Sequence, residues 1–524
     1  MIHWLEGKER SVKEFIHVYG KYMIGGLSVG ILAYFMMMSF NLVNDVDGIW
    51  HPSNFIAGDW EISLGRGLLR YADRARFGIV SDSLNSILTL LLIAITNALI
   101  LKKFEINNTF YRWLIMIVLS VNPVICNTLS YSYTSVNYGL AYLFATTAFC
   151  MIRITGNRRK DLTAGIAGGL FMGISMSFYQ PYICVTMVLA AIYILKILNE
   201  KREWKEALSY LLSGVVMIVF LGGGTYYIIA KALLYRAGIE LSSYGGAANI
   251  SLPLIIRQLP ESIKNCYSEF AAFFFDKKAF SDLEFISVVL TALFLIYLLA
   301  VVIRFLRLFK QNRVCAFLFI LTVALLPAAG CFVLLIAVGN TMSGLMSMGL
   351  VLCVTLLGVI VPDEGKTGFW MKRCYLFFLA VFAWFQLSAV TNDQLALKEG
   401  KTATVTLTEN IISGLSEEGY LDPYQVVAFV GRPGDNDMFA QSTAYQMANG
   451  YAKFGCWSTA ARNNRVSWAG VISNFLGVNL NLCGDAEYQE IVELKQVADM
   501  PEFPLDGSIC VIGDIVVVKV SDIY

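Results

Sequence analysis

The chain has 524 residues, of which 57% are hydrophobic and 15% are charged, whereas soluble domains typically have about 45–50% apolar and about 25% charged residues. This composition excludes an ordinary soluble enzyme and predicts a protein embedded in the lipid bilayer. The net charge of +1 provides no broad basic surface, so no nucleic-acid partner is expected.

The charge is unevenly divided along the chain. Residues 391–524 contain 8 Lys/Arg and 17 Asp/Glu, whereas residues 1–390 contain 32 and 22. We therefore predict a transmembrane domain over 1–390 and a separate C-terminal domain over 391–524.

Eleven apolar runs are long enough to be considered as membrane helices, since a hydrocarbon core about 30 Å thick needs roughly 20 mostly apolar residues. They are approximately 22–43, 83–101, 111–127, 135–152, 162–179, 181–198, 206–230, 284–303, 314–337, 342–361 and 374–390. The residues before the first run are too charged for a signal peptide, so this run is expected to remain as an anchor.

The loop charges predict the orientation of these helices. With a cytoplasmic N-terminus, 22 basic residues fall in cytoplasmic segments, and the three short loops on the other side carry none. This is the positive-inside pattern of a multi-pass cell-membrane protein. Because the number of helices is odd, the C-terminal domain is predicted to be extracytoplasmic.

Three outer segments are long enough to hold structure of their own: 44–82, 231–283 and 391–524. Apolar and charged residues alternate between Trp60 and Arg70, which predicts a short amphipathic helix on the membrane surface.

The C-terminal segment has the pattern of an α/β domain. We predict helices over 393–417 and 487–498, a strand from Gln425 to Gly431, and a hairpin formed by Ile509 to Ile512 and Ile515 to Val520. Lys519 is expected on the solvent face of that hairpin.

The outer loops contain most of the candidate chemistry, because the apolar runs have almost no charge within them. Asp45 and Asp47 follow the first run directly, and a partly shielded carboxylate is suited to accept a proton from a hydroxyl. The alternative is that both aspartates only solvate a helix end. Asp47 and His51 have a spacing that two metal ligands can use, but no further ligands are apparent, so metal-independent chemistry without a cofactor is favoured.

Arginines in an outer loop depart from the positive-inside pattern and are therefore candidate functional residues. Arg66 and Arg70 are predicted to bind a phosphate at the headgroup level, and the glycines on either side of Arg66 would allow a close approach. The alternative is interfacial pairing with acidic neighbours, expected for at least two of the four arginines of this loop. Arg257, Lys264, Lys277 and Lys278 of the second long loop are weaker candidates.

A polar turn, Tyr179-Gln180-Pro181-Tyr182, separates two apolar runs on the outer side. We assign Tyr179, Gln180 and Tyr182 to substrate binding, together with His51 and Arg257. A structural turn within an aromatic belt explains the same composition equally well.

These features resemble polytopic glycosyltransferases of the GT-C class, and more closely the bacterial GtrII-like glucosyltransferase family. The residues that carry the resemblance are Asn44-Asp45, Gly65-Arg66-Gly67, Tyr179-Gln180-Pro181, Thr391-Asn392-Asp393-Gln394, Met500-Pro501-Glu502-Phe503-Pro504, Gly507-Ser508 and Val516-Val517-Val518-Lys519. The resemblance spans nearly the whole chain and depends on the order and membrane placement of these short motifs.

The resemblance implies an enzyme that transfers glucose, or a related hexose, from a polyprenyl-phosphate donor to a surface polysaccharide such as an O-antigen. It implies Asp45 as the general base, with Asp47 as the alternative, and Arg66 as the residue that neutralises the departing phosphate. A donor synthase and a flippase are the implied protein partners. Two other functions fit the composition: a flippase or polymerase of surface polysaccharides, and a non-catalytic membrane sensor.

Overall fold

The computed structural model describes residues 2–45, 47–51, 53–200, 203–244, 252–276, 284–337, 340–439 and 441–522. Lys277 and Lys278 lie outside the described residues. The first helices are α1 Ile2–Ala33, α2 Phe35–Ser39, α3 Asp47–Trp50, α4 Asp59–Ser63, α5 Leu69–Ala75, α6 Asp82–Phe104, α7 Thr109–Ser120, α8 Pro123–Ser130, α9 Ser135–Met151, α10 Arg158–Phe178 and α11 Ile183–Glu200. They are followed by α12 Trp204–Tyr210, α13 Met217–Ala237, α14 Leu252–Phe275, α15 Glu284–Gln311, α16 Arg313–Gly330, α17 Val333–Ile336, α18 Met348–Leu356 and α19 Gly365–Glu417.

The C-terminal part contains four short helices and a small sheet. The helices are α20 Thr443–Met447, α21 Ala461–Gly470, α22 Asp485–Val492 and α23 Lys495–Ala498, and the strands are β1 Val426–Val430, β2 Asn481–Leu482, β3 Ile509–Ile512 and β4 Ile515–Lys519. The strand order is β2-β1-β4-β3, with β1 parallel to β2 and β4, and with β3 antiparallel to β4. The predicted strand and hairpin are confirmed, whereas the helix predicted over 487–498 is divided between α22 and α23.

Lys519 does not lie on a solvent face, so that prediction is wrong. The residue is 4% exposed, and its Nζ donates to the carbonyl oxygens of Ala498 and Met500 over 2.8 Å each. It also pairs with Asp522 over 2.8 Å. The buried ammonium group is thus satisfied by two carbonyls and a carboxylate.

Nine helical segments among the described residues are long and apolar enough to cross a membrane. They are Val12–Ala33, Asp82–Phe104, Thr109–Ser130, Arg159–Phe178, Gln180–Glu200, Trp204–Ala237, Phe285–Gln311, Arg313–Gly330 and Gly365–Glu417. The two remaining predicted runs, 135–152 and 342–361, correspond to the 17-residue helix α9 and to the shorter apolar segment Met348–Val359. The total of eleven spans stays a prediction.

The first span ends at Ala33, where the helix is interrupted. The side-chain amide of Gln394 occupies the interruption: its Nε2 donates to the oxygen of Ala33 over 2.8 Å, and its Oε1 accepts from the nitrogen of Met37 over 3.0 Å. An unbroken helix would join those two backbone groups directly, so the amide is inserted into the helical hydrogen-bond ladder. The predicted run over 22–43 is therefore divided between α1 and α2.

Basic side chains connect the loops at one end of the helix bundle. Lys103 donates to the oxygen of Ile152 over 2.6 Å. The other contacts of this kind are Lys196 with Glu105 (3.3 Å), Arg304 with the Ile360 oxygen (3.0 Å), Arg307 with Glu364 (3.2 Å) and Lys372 with the Gly358 oxygen (2.6 Å). All five basic residues belong to the helix ends that the charge pattern predicts to be cytoplasmic. The candidate chemistry lies at the opposite helix ends.

Helix α19 continues through the predicted domain boundary at residue 390 without a break. Beyond that point, Asp393 accepts hydrogen bonds from the Tyr451 hydroxyl over 2.8 Å and from the Asn449 nitrogen over 3.0 Å. The same hydroxyl also lies 3.2 Å from the oxygen of Pro123, at the start of α8. The C-terminal part is therefore packed directly against the helix ends of the bundle.

Candidate active site

The segment that carries Asp45 and Asp47 is held in place by Asn44. Asn44 is 4% exposed, and its backbone nitrogen donates to the oxygen of Ser130 at the end of α8 over 3.1 Å. Its side-chain oxygen accepts from the nitrogen of Gly48 over 2.9 Å, at the first turn of α3. This short-range bond fixes the turn that presents both aspartates.

Helix α3 is in turn covered by the C-terminal part. The Asn474 side chain donates to the oxygen of Ile49 over 2.9 Å. A Cβ atom on Gly470, at the end of α21, would lie 2.3 Å from the Ile49 side chain. Only a glycine permits α21 to approach α3 this closely.

Asp45 is mostly buried, and burial raises the pKa of its carboxyl group to about 7. A backbone hydrogen bond from Cys456 and the positive charge of Arg432 lower this pKa, whereas the neighbouring Asp47 raises it. The carboxyl group therefore exists in both protonation states near neutral pH, which suits a group that takes up and releases a proton.

Asp47 has a different set of charged neighbours. Burial raises the pKa of its carboxyl group, the charge of Arg66 lowers it, and the charge of Glu61 raises it. The charges of two different arginines thus act on the two carboxylates, Arg432 on Asp45 and Arg66 on Asp47.

Arg66 lies at a break in the first outer loop. The single amphipathic helix predicted there is two short helices, α4 and α5, because Gly65 adopts a left-handed conformation with φ of 75°. A Cβ atom on Gly65 would lie 2.2 Å from the Tyr226 hydroxyl, and one on Gly67 would lie 2.4 Å from Leu233. Both glycines therefore allow the loop to pack closely on α13.

The guanidinium group of Arg66 contacts the predicted polar turn. Its Nε donates to Oε1 of Gln180 over 3.2 Å, and its carbon lies 4.9 Å from the centre of the Tyr179 ring. Gln180 Nε2 in turn donates to the oxygen of Leu64 over 2.7 Å and to the hydroxyl of Tyr226 over 3.0 Å. Both amide atoms of Gln180 are therefore engaged in orienting the loop and its arginine.

The two tyrosines of this turn are buried. The Tyr179 ring packs against Tyr138, with centres 4.7 Å apart, and against Tyr182 at 5.7 Å. Tyr182 also contacts Tyr142, with centres 5.9 Å apart. Tyr179 thus lies beside Arg66, whereas Tyr182 contacts the rings of Tyr179 and Tyr142.

Arg70 and Arg76 have partners within the protein. Arg70 donates to the oxygen of Ala57 over 2.8 Å and pairs with Asp59 over 2.7 Å. Arg76 pairs with the fully buried Asp73 over 2.7 Å. Pairing with acidic neighbours, the alternative for the loop arginines, is therefore observed for these two, whereas phosphate binding by Arg66 stays a prediction.

Neither His51 nor Arg257 has a described contact with the carboxylates of Asp45 and Asp47. The His51 ring packs against Phe55 and Tyr133, with centres 4.4 and 4.8 Å apart, and burial lowers its pKa to about 4. It is therefore neutral at pH 7. Arg257 is exposed on α14, and no described contact joins it to Asp45, Asp47 or Arg66.

No group of three or more His, Cys, Asp or Glu side chains is arranged to hold a metal ion among the residues that the structure describes. Asp47 and His51 are thus not joined by a third such ligand within that part of the chain. Metal independence stays a prediction.

Sequence reasoning missed three residues near the two carboxylates: Tyr131, Arg432 and Cys456. Tyr131 was not among the predicted site residues, yet burial and the charges of Asp47 and Asp45 raise the pKa of its hydroxyl. Arg432 and Cys456 come from the C-terminal part, which we expected to be a separate domain. A usable signal was present, because Arg432-Pro433-Gly434-Asp435 directly follows the predicted strand from Gln425 to Gly431, and polar loops after parallel strands commonly form binding sites.

Comparison with protein families gives one match, to a family model described as glucosyl transferase GtrII, over residues 34–357. The matched region contains Asp45, Asp47, Arg66 and Gln180, and it ends before Arg432. Comparisons with curated proteins and with solved structures found no match.

Proposed function

The chain belongs to the glucosyl transferase GtrII family, and we propose that this glycosyltransferase moves a glucosyl or related hexosyl residue from a polyprenyl-phosphate donor to a cell-surface polysaccharide. The observation that carries the proposal is the pair of largely buried carboxylates at one end of the helix bundle, Asp45 and Asp47, on which the positive charges of Arg432 and Arg66 act. This cluster combines a base for the acceptor with a cation for the leaving group.

In the proposed reaction, an acceptor hydroxyl attacks the anomeric carbon of the donor sugar. Asp45 takes the hydroxyl proton as the new C–O bond forms, and the bond to the phosphate oxygen breaks with its electron pair going to polyprenyl phosphate. The pKa of about 7 suits this role, because a general base works best with a pKa near the working pH. Asp47 is the alternative base.

Arg66 would stabilise the departing phosphate, whose negative charge grows in the transition state. Its Nε–H is bonded to Gln180, so the terminal NH₂ groups are the donors for the phosphate. The pairing of Arg70 with Asp59 makes Arg70 a secondary candidate. Tyr179, against which the Arg66 guanidinium packs, would hold the arginine in this orientation.

A lipid-linked donor is supported by the apolar surface next to Arg66. Helix α13, on which the Gly65-Arg66-Gly67 segment packs at Tyr226 and Leu233, exposes the large side chains of Tyr227 and Ile228 between these two contacts. A polyprenyl chain could lie along such a surface while its phosphate reaches Arg66.

We further propose eleven membrane spans, with the N-terminus in the cytoplasm and the cluster on the outer face of the cell membrane. The basic contacts at the opposite end of the bundle support this orientation, because cytoplasmic ends are enriched in Lys and Arg. A donor synthase and a flippase would then supply the lipid-linked sugar, and the reaction would require no metal.

The test is reconstitution of the purified protein in liposomes with polyprenyl-phosphate glucose carrying a radioactive label. Label should move to polysaccharide purified from cells that lack the protein, and Asp45→Asn should abolish most of this transfer. A variant that kept full transfer would exclude Asp45 as the base. Translocation of intact lipid-linked sugar, or growth of a polymer without use of the donor, would instead support the flippase or polymerase alternative. Ligand binding that needs neither Asp45 nor Arg66, with no transfer, would support the sensor.

A further inference from the structure

A cavity of about 450 Å³ opens in the C-terminal part, in the loop that follows strand β1. Its volume is within the range of roughly 300–1,000 Å³ that is usual for small-ligand sites. It is lined by Arg432, Gly434, Asp435, Asn436, Asp437, Phe439, Gln441 and Thr459. Apart from Phe439 and Gly434, every side chain of this lining is polar or charged.

Several of these polar groups are already occupied by the protein. The Asn436 amide donates to the oxygens of Phe503 and Val520, over 2.8 and 2.6 Å. Arg432 forms a two-point pair with Asp435 over 2.6 and 3.1 Å. These contacts give the cavity a fixed wall before any ligand enters.

Other groups in the lining have no described partner. Asp437 is exposed, and neither its carboxylate nor the Thr459 hydroxyl is bonded to any described residue. Gln441 donates through Nε2 to the oxygen of Gly434 over 3.2 Å, which leaves its Oε1 free. The free groups are therefore mainly acceptors, together with one hydroxyl, which is a set suited to sugar hydroxyls.

The charge of the cavity disfavours an anionic ligand. Asp435 neutralises Arg432, and Asp437 adds an unpaired negative charge. A phosphate placed here would be repelled by Asp437, whereas an uncharged sugar would meet acceptors for its hydroxyls and the ring of Phe439.

The segment at Cys456 and Trp457 contacts both the wall of the cavity and Asp45. Arg432 donates to the oxygens of Cys456 and Trp457, over 2.9 and 3.0 Å. A Cβ atom on Gly434 would lie 2.5 Å from the Cys456 sulfur, so the two loops are in direct contact. Cys456 also provides the backbone hydrogen bond to the Asp45 carboxylate, so the cavity wall and the carboxylate share the same segment.

We propose that this cavity is the subsite for uncharged sugar units of the acceptor polysaccharide, which it holds next to the segment at Cys456 that also contacts Asp45. The inference rests on the proposed function and extends it, since it assigns acceptor recognition to the part of the chain beyond the family match.

The experiment uses the full chain in lipid nanodiscs and, as a probe, polysaccharide purified from cells that lack the protein. Calorimetry without any donor should show binding to the unmodified protein. The double variant Asp437→Ala/Thr459→Val should weaken binding about tenfold, since two hydrogen bonds are removed. The matched control Asp514→Asn, at the exposed turn between β3 and β4, should bind as the unmodified protein does.

Kinetics separate this inference from the proposed function. In the double variant, the KM for polysaccharide should rise far more than the KM for polyprenyl-phosphate glucose. If the unmodified protein transfers sugar and the double variant leaves both binding and the acceptor KM unaltered, the inference is wrong and the proposed function stands. If no transfer occurs but the double variant weakens polysaccharide binding, the cavity is a glycan site and the proposed function is wrong. Competition by inorganic phosphate would overturn the assignment to uncharged sugars.

Discussion

The Nε–H of Arg66 donates to Oε1 of Gln180 across 3.2 Å, although 114 positions separate the two residues in the chain. The bond joins the segment 44–82 to the turn between α10 and α11. It leaves the guanidinium aligned over Tyr179 with its terminal donors available. An arginine held in this way loses little side-chain conformational entropy when it binds a phosphate. More of the electrostatic attraction is therefore retained as binding free energy.

Replacing Arg66 by glutamine should lower kcat for transfer by about 10²–10³-fold, the loss typical of a donor that stabilises transition-state charge. Arg66→Lys should restore only part of the rate, because lysine lacks the forked donor set. The measurement is transfer from polyprenyl-phosphate glucose in liposomes. The matched control is Arg74→Gln, an exposed arginine of the same loop, and an equal loss there would assign the effect to the general charge of the loop.

Replacing Asp45 by asparagine should lower kcat by about 10²–10⁴-fold, the range expected when a general base is removed. The amide has nearly the same size, so the fold around Asn44 and Gly48 should be retained. Single-turnover kinetics with saturating donor would measure the loss, with Glu490→Gln on the surface of α22 as the control. A larger loss in Asp47→Asn than in Asp45→Asn would transfer the role of base to Asp47.

The pH dependence of kcat/KM should show an acid limb near pH 7, since the pKa of Asp45 is about 7 and only the ionised carboxylate accepts a proton. Activity is then lost as the pH falls through that pKa. Arg432→Gln should move the limb to higher pH, because the positive charge that favours the ionised form is removed.

The control for the pH experiment is Arg465→Gln, which removes an arginine that pairs with Asp485 over 2.7 Å elsewhere in the C-terminal part. Its acid limb should coincide with that of the unmodified protein. An acid limb that stayed in place in Arg432→Gln would mean that Asp45 does not control the observed pH dependence.

Substituting Gly470 by alanine should destabilise the contact between α21 and α3. The added carbon would lie 2.3 Å from Ile49, and overpacking of this kind typically costs about 1–3 kcal/mol. We expect a lower unfolding temperature by scanning calorimetry and reduced transfer, because α3 begins at Asp47. Gly450→Ala is the matched control, since a carbon added there meets nothing within 4 Å; equal effects in both variants would argue against a specific contact.

Much of the fold was predictable because membrane helices are encoded locally, by the length of an apolar run. The same holds for β1 and the β3–β4 hairpin, because their short apolar runs and the Gly513-Asp514 turn are short-range signals. The interruption after Ala33 was not predictable, because it lies inside an uninterrupted apolar run and is stabilised by Gln394 from a distant helix. The burial of Lys519 was missed for a similar reason, since its carbonyl partners come from outside the hairpin.

The candidate site was predictable in part. Arg66 and Gln180 were each selected from their own motif, but no pattern indicated that they touch. The neighbourhood of Arg432 and Asp45 depends on how the C-terminal part packs on α3, and long-range packing of this kind leaves no periodicity in the sequence. The sequence also could not show which of Arg66 and Arg70 is paired with a carboxylate, because the fold of the loop determines that Arg70 pairs with Asp59.

Helix α19 has 53 residues, which corresponds to a length of roughly 80 Å at about 1.5 Å per residue, far more than the roughly 30 Å of a hydrocarbon core. The part of α19 beyond the apolar span therefore belongs to the C-terminal part, which is packed directly against the helix ends of the bundle. Under the proposed function, a long polysaccharide would therefore be modified only in the stretch that reaches the helix ends of the bundle.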